Sequence, residues 1–233
     1  MNILVTGAQG FVGKNLCMAL KNIRDGKDKT REGVVVDNIY EYDINNSPDE
    51  LDAFCENADF VFNLAGVNRP KNNDDFAKGN CGFTEQLLSM LIAKNNKCPI
   101  MLSSSMQASL VGRYDNEYGR SKRKAEEIML DYSKKTGAKV LIYRFPNLFG
   151  KWCKPNYNSA VATFCNNIAN DIPITVNDEN TELTLLYIDD LIDEMILALQ
   201  SKEHRCLFEG LNVIADENGM FCCCPVTHTV TLG

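Results

Sequence analysis

The chain has 233 residues, 45% of them apolar and 24% charged, which excludes a mainly disordered protein. Its 24 basic and 31 acidic residues leave a formal charge of −7, a poor match to non-specific nucleic-acid binding, which rests on neutralising phosphates. No apolar run approaches the ~20 residues that cross a bilayer, and Met1 to Gly7 carry no signal core, so the sequence predicts a cytoplasmic protein without membrane insertion.

Asn2–Thr6 (NILVT) reads as a short buried strand, and Lys14–Asn22 has helical periodicity. Arg24–Arg31 is polar and reads as a loop. A second strand lies within Val34–Tyr42. Ser47, Pro48, Asp49 and Glu50 predict a helix start: a hydroxyl cap, proline in the first turn, and acids at the positive end of the dipole. Asp59–Ala65 reads as a third strand, Gly82–Lys94 as an amphipathic helix and Pro99–Ser103 as a fourth strand. Glu117–Thr136 then predicts a long helix and Lys139–Tyr143 a fifth strand. Beyond Gly150 the pattern loosens, with helices over Ala160–Asn170 and Asp189–Gln200. Strands alternating with helices imply an α/β fold, a doubly wound parallel sheet covered on both faces.

The ten cysteines do not form a metal or disulfide framework by spacing. Seven are scattered singly, and no C-x-x-C pair exists. Cys222, Cys223 and Cys224 cluster, but neighbours on a strand face opposite ways, so strand packing is expected there and no metal.

The chemistry begins at Thr6-Gly7-Ala8-Gln9-Gly10-Phe11-Val12-Gly13, after the first strand and at the start of the first helix. Gly7 permits a tight turn, Gly10 lets backbone approach a pyrophosphate, and Gly13 lets helix and sheet pack closely. The helix N-terminus offers free N–H groups and a positive dipole to phosphates. The segment therefore predicts a Rossmann-like dinucleotide site over residues 1–150, with cofactor contacts at Gly7, Gln9, Gly10, Phe11, Val12 and Gly13. Residues 151–233 read as a small C-terminal substrate-binding region.

An acid after the second strand suits the ribose 2′-OH of NAD, whereas arginine suits NADP. Asp37 and Asp43 both qualify, and Asp43 is preferred. Tyr118 and Lys122 (Y-G-R-S-K) open the long helix and share one face. The Lys122 ammonium is expected to lower the Tyr118 phenol, and to hold the nicotinamide ribose. A tyrosine so tuned exchanges a proton with a carbinol oxygen during hydride transfer. Ser103, Ser104 and Ser105 end the fourth strand, at the carboxyl edge where ligands bind. Lys151, Trp152, Lys154, Asn156, Tyr157 and Asn158 follow the next strand end. Their cations suit a diphosphate and their aromatic faces a base.

With Gly-Phe-Val-Gly, Asn63-Leu64-Ala65-Gly66, Y-x-x-x-K and Leu185-Leu186-Tyr187-Ile188-Asp189-Asp190, the chain resembles the extended short-chain dehydrogenase/reductase superfamily. The resemblance implies cofactor contacts at Leu64, Ala65, Gly66, Asn80, Ser103 and Pro146, besides Tyr118 and Lys122. It makes Ser105 the donor to the substrate carbonyl, with Ser104 the runner-up, and puts Asn147 on the substrate diphosphate. Asp189 and Asp190 read as helix caps and dipole partners. Ser105 and Tyr118 are only thirteen positions apart, so the entrance is expected to differ from that of common epimerases. The run F-P-N-L-F-G-K-W-C-K-P-N-Y-N-S at 145–159, with A-G-V-N-R-P at 65–70, is similar to the capsular-polysaccharide reductase family CapF/WbjC. That resemblance implies NADPH-dependent reduction of a UDP-linked 4-keto-6-deoxy-N-acetyl sugar toward UDP-N-acetyl-L-fucosamine. Asp43 leans instead toward NAD(H), so both NAD(H) and NADP(H) stay open. Family members carry a further C-terminal metal-binding cupin domain, and the family pattern enters a helix at Thr227–Gly233, so the chain reads as truncated. A homodimer through the helices at Gly82–Lys94 and Glu117–Thr136 stays open. The alternatives are an NAD-dependent nucleotide-sugar epimerase or dehydratase, and a non-catalytic dinucleotide sensor. Met106-Gln107 lacks the acid pair of dehydratases, and the intact Y-x-x-x-K argues against the sensor.

Overall fold

Alternate residues of the buried strands face opposite layers, and this parity sorts the core into two halves. In the computed structural model, which describes residues 1–67, 76–157, 159–208 and 217–232, the dinucleotide half runs β1 (Asn2–Thr6), α1 (Phe11–Arg24), β2 (Asn38–Tyr42), α2 (Pro48–Asn57) and β3 (Phe60–Asn63). A π-helical turn (Ala77–Gly82) leads into α3 (Phe83–Ala93) and β4 (Ile100–Ser105). Two short 3₁₀ turns, Met106–Ser109 and Gly112–Tyr114, then precede α4 (Glu117–Thr136) and β5 (Val140–Phe145). The remainder is β6 (Asn147–Phe149), α5 (Ala160–Ala169), β7 (Glu182–Tyr187), α6 (Ile188–Leu199), β8 (Gly219–Cys222) and β9 (His228–Thr231).

Six strands form a parallel sheet in the order β2-β1-β3-β4-β5-β8. Ile3, Val5, Phe60, Phe62, Met101, Leu141 and Tyr143 face α1 and α6. Leu4, Val61, Ile100, Leu102, Val140 and Ile142 face α2, α3 and α4. Burial on both faces explains the near-continuous apolar runs of these strands. Chain order reverses between β1 and β3, a switch point that opens a crevice at the carboxyl ends of the strands. A second sheet, β6-β7-β9, joins β6 and β7 in parallel and β7 and β9 antiparallel.

Several expectations change. β4 continues to Ser105, and β3 stops at Asn63. The Thr-Val alternation of His228–Thr231 pairs as β9 with β7, so a strand replaces the helix expected near 227–233. The division at residue 150 does not separate the layers, because β8 extends the large sheet and α6 covers it. Asp189 and Asp190 sit in the first turn of α6, where they meet the dipole, and the capping position belongs to Tyr187 without a side-chain bond. Asn158, Asn68, Arg69, Pro70 and Gly233 lie outside the described residues. Among the described residues no helix is long and apolar enough to cross a membrane. None of their His, Cys, Asp and Glu side chains group to hold a metal.

Candidate active site at the sheet switch point

The glycine turn is built by exclusion of side chains. Gly7 sits at φ +67°, and a Cβ there would lie 2.8–2.9 Å from the backbone of Leu64 and Ala65. A Cβ on Gly13 would strike the Gly7 carbonyl oxygen and lie 2.8 Å from Ala8 Cα. The Gly10 N–H donates to the Gly7 carbonyl at 2.9 Å, and Gly10 caps α1 without a side chain. The first N–H groups of α1 thus face the crevice bare. Asp43, rather than Asp37, ends β2. Its Oδ2 accepts from the Gln9 N–H at 2.7 Å, so the acid braces the glycine turn. Asp37 is bound to the N-terminal ammonium instead.

A buried polar chain fastens the turn to the next crossing. Thr6 Oγ1 donates to Asn63 Oδ1 at 2.9 Å, and Asn63 Nδ2 reaches Thr84 at 3.2 Å. Asn80 holds Val67 through both backbone groups and donates to Ser121 at 2.9 Å. Its amide is a latch inside the π-helical turn and does not line the cavity, contrary to expectation. Ala65 is likewise a backbone brace, its N–H donating to Thr6 at 3.3 Å, while Leu64 and Gly66 line the cavity.

The cavity has a volume of about 1010 Å³, large enough for two ligands side by side. Gly7, Gln9, Gly10, Phe11, Val12 and Gly13 form one wall. Ser103, Ser105, Tyr118 and Lys122 form the centre, and Pro146, Asn147, Trp152, Lys154, Asn156 and Tyr157 the far side. Strand parity separates the three serines. Ser105 is hydrogen-bonded to Tyr118, and Ser103 Oγ reaches the Asn63 carbonyl at 3.2 Å. Ser104 points to the opposite layer, where its hydroxyl donates to Glu126 at 2.5 Å. Ser104 still lines the cavity, but its hydroxyl is engaged by Glu126. Lys151 stands off the cavity wall, its ammonium 4.1 Å over the Trp152 ring. Its carbonyl accepts from Asn15 at 3.0 Å, which ties the loop after β6 to α1.

Lys122 is buried, with its Nζ 2.9 Å from the Ser103 carbonyl and 5.8 Å from the Tyr118 ring centre. Burial draws its ammonium down to about 8, partly opposed by Glu126. Burial pushes the Tyr118 phenol up to about 12, partly opposed by Ser105. The expected lowering of Tyr118 by Lys122 does not appear: burial raises the phenol and only Ser105 opposes it. Tyr118 therefore keeps its proton at neutral pH.

Sequence reasoning missed part of the wall. Lys14, Met106, Gln107 and Tyr114 line it, as do Ser159, Ala160, Thr163 and Phe164. Ala160, Thr163 and Phe164 have the spacing of one face at the start of α5, a signal present in the sequence. Gln107 and Tyr114 arrive through the 3₁₀ turns that fill the short gap between Ser105 and Tyr118.

A glycine cradle at a parallel-sheet switch point, facing a serine–tyrosine–lysine group, defines a dinucleotide-binding chain of the short-chain oxidoreductase type. The chain belongs to the NAD dependent epimerase/dehydratase family, whose profile matches residues 3–209. It is 43% identical over 203 residues to a UDP-2-acetamido-2,6-beta-L-arabino-hexul-4-ose reductase of Pseudomonas aeruginosa, covering 87% of this chain and 50% of that protein. The crystal structure of capsular polysaccharide assembling protein CapF from Staphylococcus aureus superposes with a TM-score of 0.77 at 42% identity, over 100% of this chain and 56% of that one. A UDP-glucuronic acid 4-epimerase from Bacillus cereus, solved with UDP-glucuronic acid and NAD, gives 0.73 at 21% identity, over 100% and 80%. That last likeness concerns the fold alone. The chain spans about half the length of the first two relatives.

Proposed function

We propose that this chain is the reducing half of an enzyme that converts a UDP-linked 4-keto-6-deoxy-N-acetylhexosamine to its alcohol, in the making of capsule or O-antigen sugars such as UDP-N-acetyl-L-fucosamine. The observation that carries the reading is the single cavity in which the glycine cradle and the Ser105–Tyr118–Lys122 group face each other. The reductase named above, 43% identical, supports the substrate class.

The cradle fits a dinucleotide, since side chains on Gly7 or Gly13 would collide with backbone where the turn must stay open. Those glycines would hold a dinucleotide, and a reduced nicotinamide bound there would supply the hydride for the keto carbon. Tyr118 donates the proton that completes the alcohol, and Ser105 orients the carbonyl oxygen. Lys122 fixes the strand end at Ser103 and keeps a cation behind Tyr118. Pro146 borders the nicotinamide side and Asn147, Lys154, Asn156 and Tyr157 the UDP side. Asp43 at the end of β2 supports NAD(H) over NADP(H). The proposal places the enzyme in the cytoplasm and pairs two copies through α3 and α4, where Ile92 is 55% exposed.

Single-turnover oxidation of NADH and NADPH with a UDP-4-keto sugar tests this. Tyr118→Phe is expected to lower reduction by about 10²–10⁴-fold, with cofactor affinity within a few-fold by titration. Unchanged turnover in that variant overturns the assignment.

A further inference from the structure

Three successive residues at the end of β4 are matched to three residues on successive turns of α4. Ser105 is bonded to Tyr118, the Ser103 carbonyl accepts from Lys122, and the Ser104 hydroxyl donates to Glu126. Tyr118, Lys122 and Glu126 are four apart and form one stripe along the helix. The first two reach the cavity. The third turns inward, where Arg144 of β5, the register partner of Ser104, holds its two oxygens at 2.8 and 2.7 Å.

Both members of that ion pair are only 1% exposed. A pair so buried adds little stability over apolar residues of the same size. Arg144 also stacks 4.9 Å from Phe208 and 5.4 Å from Phe221, so its position is fixed from both sides. The carboxylate it fixes lies one helical turn beyond Lys122, on the same face. We propose, building on the reading of Tyr118 and Lys122 above, that Glu126 is a positioning residue: anchored by Arg144 and Ser104, it sets the register of α4 on β4 and keeps Lys122 charged behind Tyr118.

The groups facing Lys122 bear this out as an electrostatic balance. Tyr118 and Glu126 face it from its own helix, Cys81 from the π-helical turn, and the Ser103 carbonyl from β4. Gly66 approaches it from the β3 side, and Arg144 stands beyond Glu126 on β5. Burial is the largest influence and favours the neutral amine, while the Glu126 charge favours the ammonium. Without that charge, Lys122 would lose its proton nearer to neutral pH.

The test follows the Lys122 side chain by carbon or nitrogen NMR through a pH titration of the chain, assigned as the signal missing in Lys122→Met. Glu126→Gln is expected to lower the midpoint by about one pH unit or more, and to move the alkaline limb of the reduction rate with it. Glu126→Asp should largely restore both, and Ser104→Ala should leave the midpoint in place. Because Glu126→Gln strands Arg144, the neutral pair Glu126→Gln/Arg144→Met repeats the measurement in an uncharged core, and the midpoint should fall there as well. A midpoint that stays put in the single or the double variant overturns the proposal. The titration needs no turnover, so a wild-type chain that reduces nothing overturns the reductase reading and leaves this result to stand or fall separately.

Discussion

An ammonium taken out of water destabilises the fold that buries it. Lys122 shows this, its pKa drawn down to about 8 from an ordinary value of 10.5. The unfolded chain therefore binds more protons than the folded one between pH 8 and 10.5, and stability rises with pH through that window. Below pH 8 both states hold the proton and the penalty is full. Lys122→Met is accordingly expected to be more stable than the wild type at pH 7, by ~1–3 kcal/mol, while losing reduction. The gap should close as pH rises from about 8 toward 10.5. Urea unfolding of both chains at pH 7 and pH 10 checks this, and a wild type more stable than the variant at pH 7 contradicts it. At this scale the sequence was informative wherever backbone dictates the residue. Gly7, Gly10 and Gly13 are read from spacing alone; a Cβ has no room at Gly7 or Gly13, and one on Gly10 would press on the Gly7 carbonyl at 3.1 Å. Strand parity could not tell Ser104 from Ser105, since the expected strand stopped at Ser103; only the family resemblance ranked Ser105 first. Asn80 and Lys151 carry the right chemistry for ligands but spend it within the protein, on Val67 and Ser121 and on the Trp152 ring.

Elements were legible where their ends carry local signals. α2 has the full set: Ser47 Oγ accepts from the Glu50 N–H at 3.3 Å, and Glu50 Oε2 accepts from the Ser47 N–H at 2.8 Å, with Pro48 in the first turn. α4 starts behind Asn116, whose side chain accepts from the Gly119 N–H, and ends at Gly137 in the left-handed region. The small sheet had no such punctuation. β9 is exposed throughout and β7 only half-buried, so neither shows the apolar contrast that marks a strand from sequence. The π-helical turn escapes any reading based on a period of 3.6. Because the α2 cap is local and remote from the cavity, its loss should register in stability alone. Ser47→Ala is expected to cost about 1 kcal/mol, lowering Tm by ~2–4 °C for a chain of this size, with reduction unchanged. Calorimetry beside the turnover assay checks it, and a variant that keeps its Tm would show the capping box to be idle.

The whole molecule is unevenly buried, and the unevenness follows the site. β3 and β4 are buried at every residue, and the strands β1 and β5 beside them nearly so. α5 contributes no buried residue, and neither does β9, whose four residues are all exposed. The doubly wound sheet was readable from the alternation of strands and helices, and the switch point follows from chain order. The return of α6 and β8 to the large sheet was not, because long-range pairing leaves no mark in a local window. The cavity lies between these two regimes, with the rigid cradle on one wall and the start of α5 on the other. Local opening is easiest where few apolar contacts must be broken. Amide hydrogen exchange should therefore be slowest in β1, β3, β4 and β5, and faster by orders of magnitude in α5 and β9. Asn15 is buried in α1 and donates to the Lys151 carbonyl, so the loop after β6 is tied to the cradle side. A ligand that bridges the walls should then slow exchange most in residues 151–157 and in the first turn of α5. UDP is the probe for this, since it carries the base and diphosphate and lacks the reacting sugar. Protection that appears in α5 and 151–157 on adding UDP, and weakens in Asn15→Ala, is the expected result. Protection confined to the glycine turn, with α5 unaffected, would mean that UDP occupies the dinucleotide wall and that the far wall has another purpose.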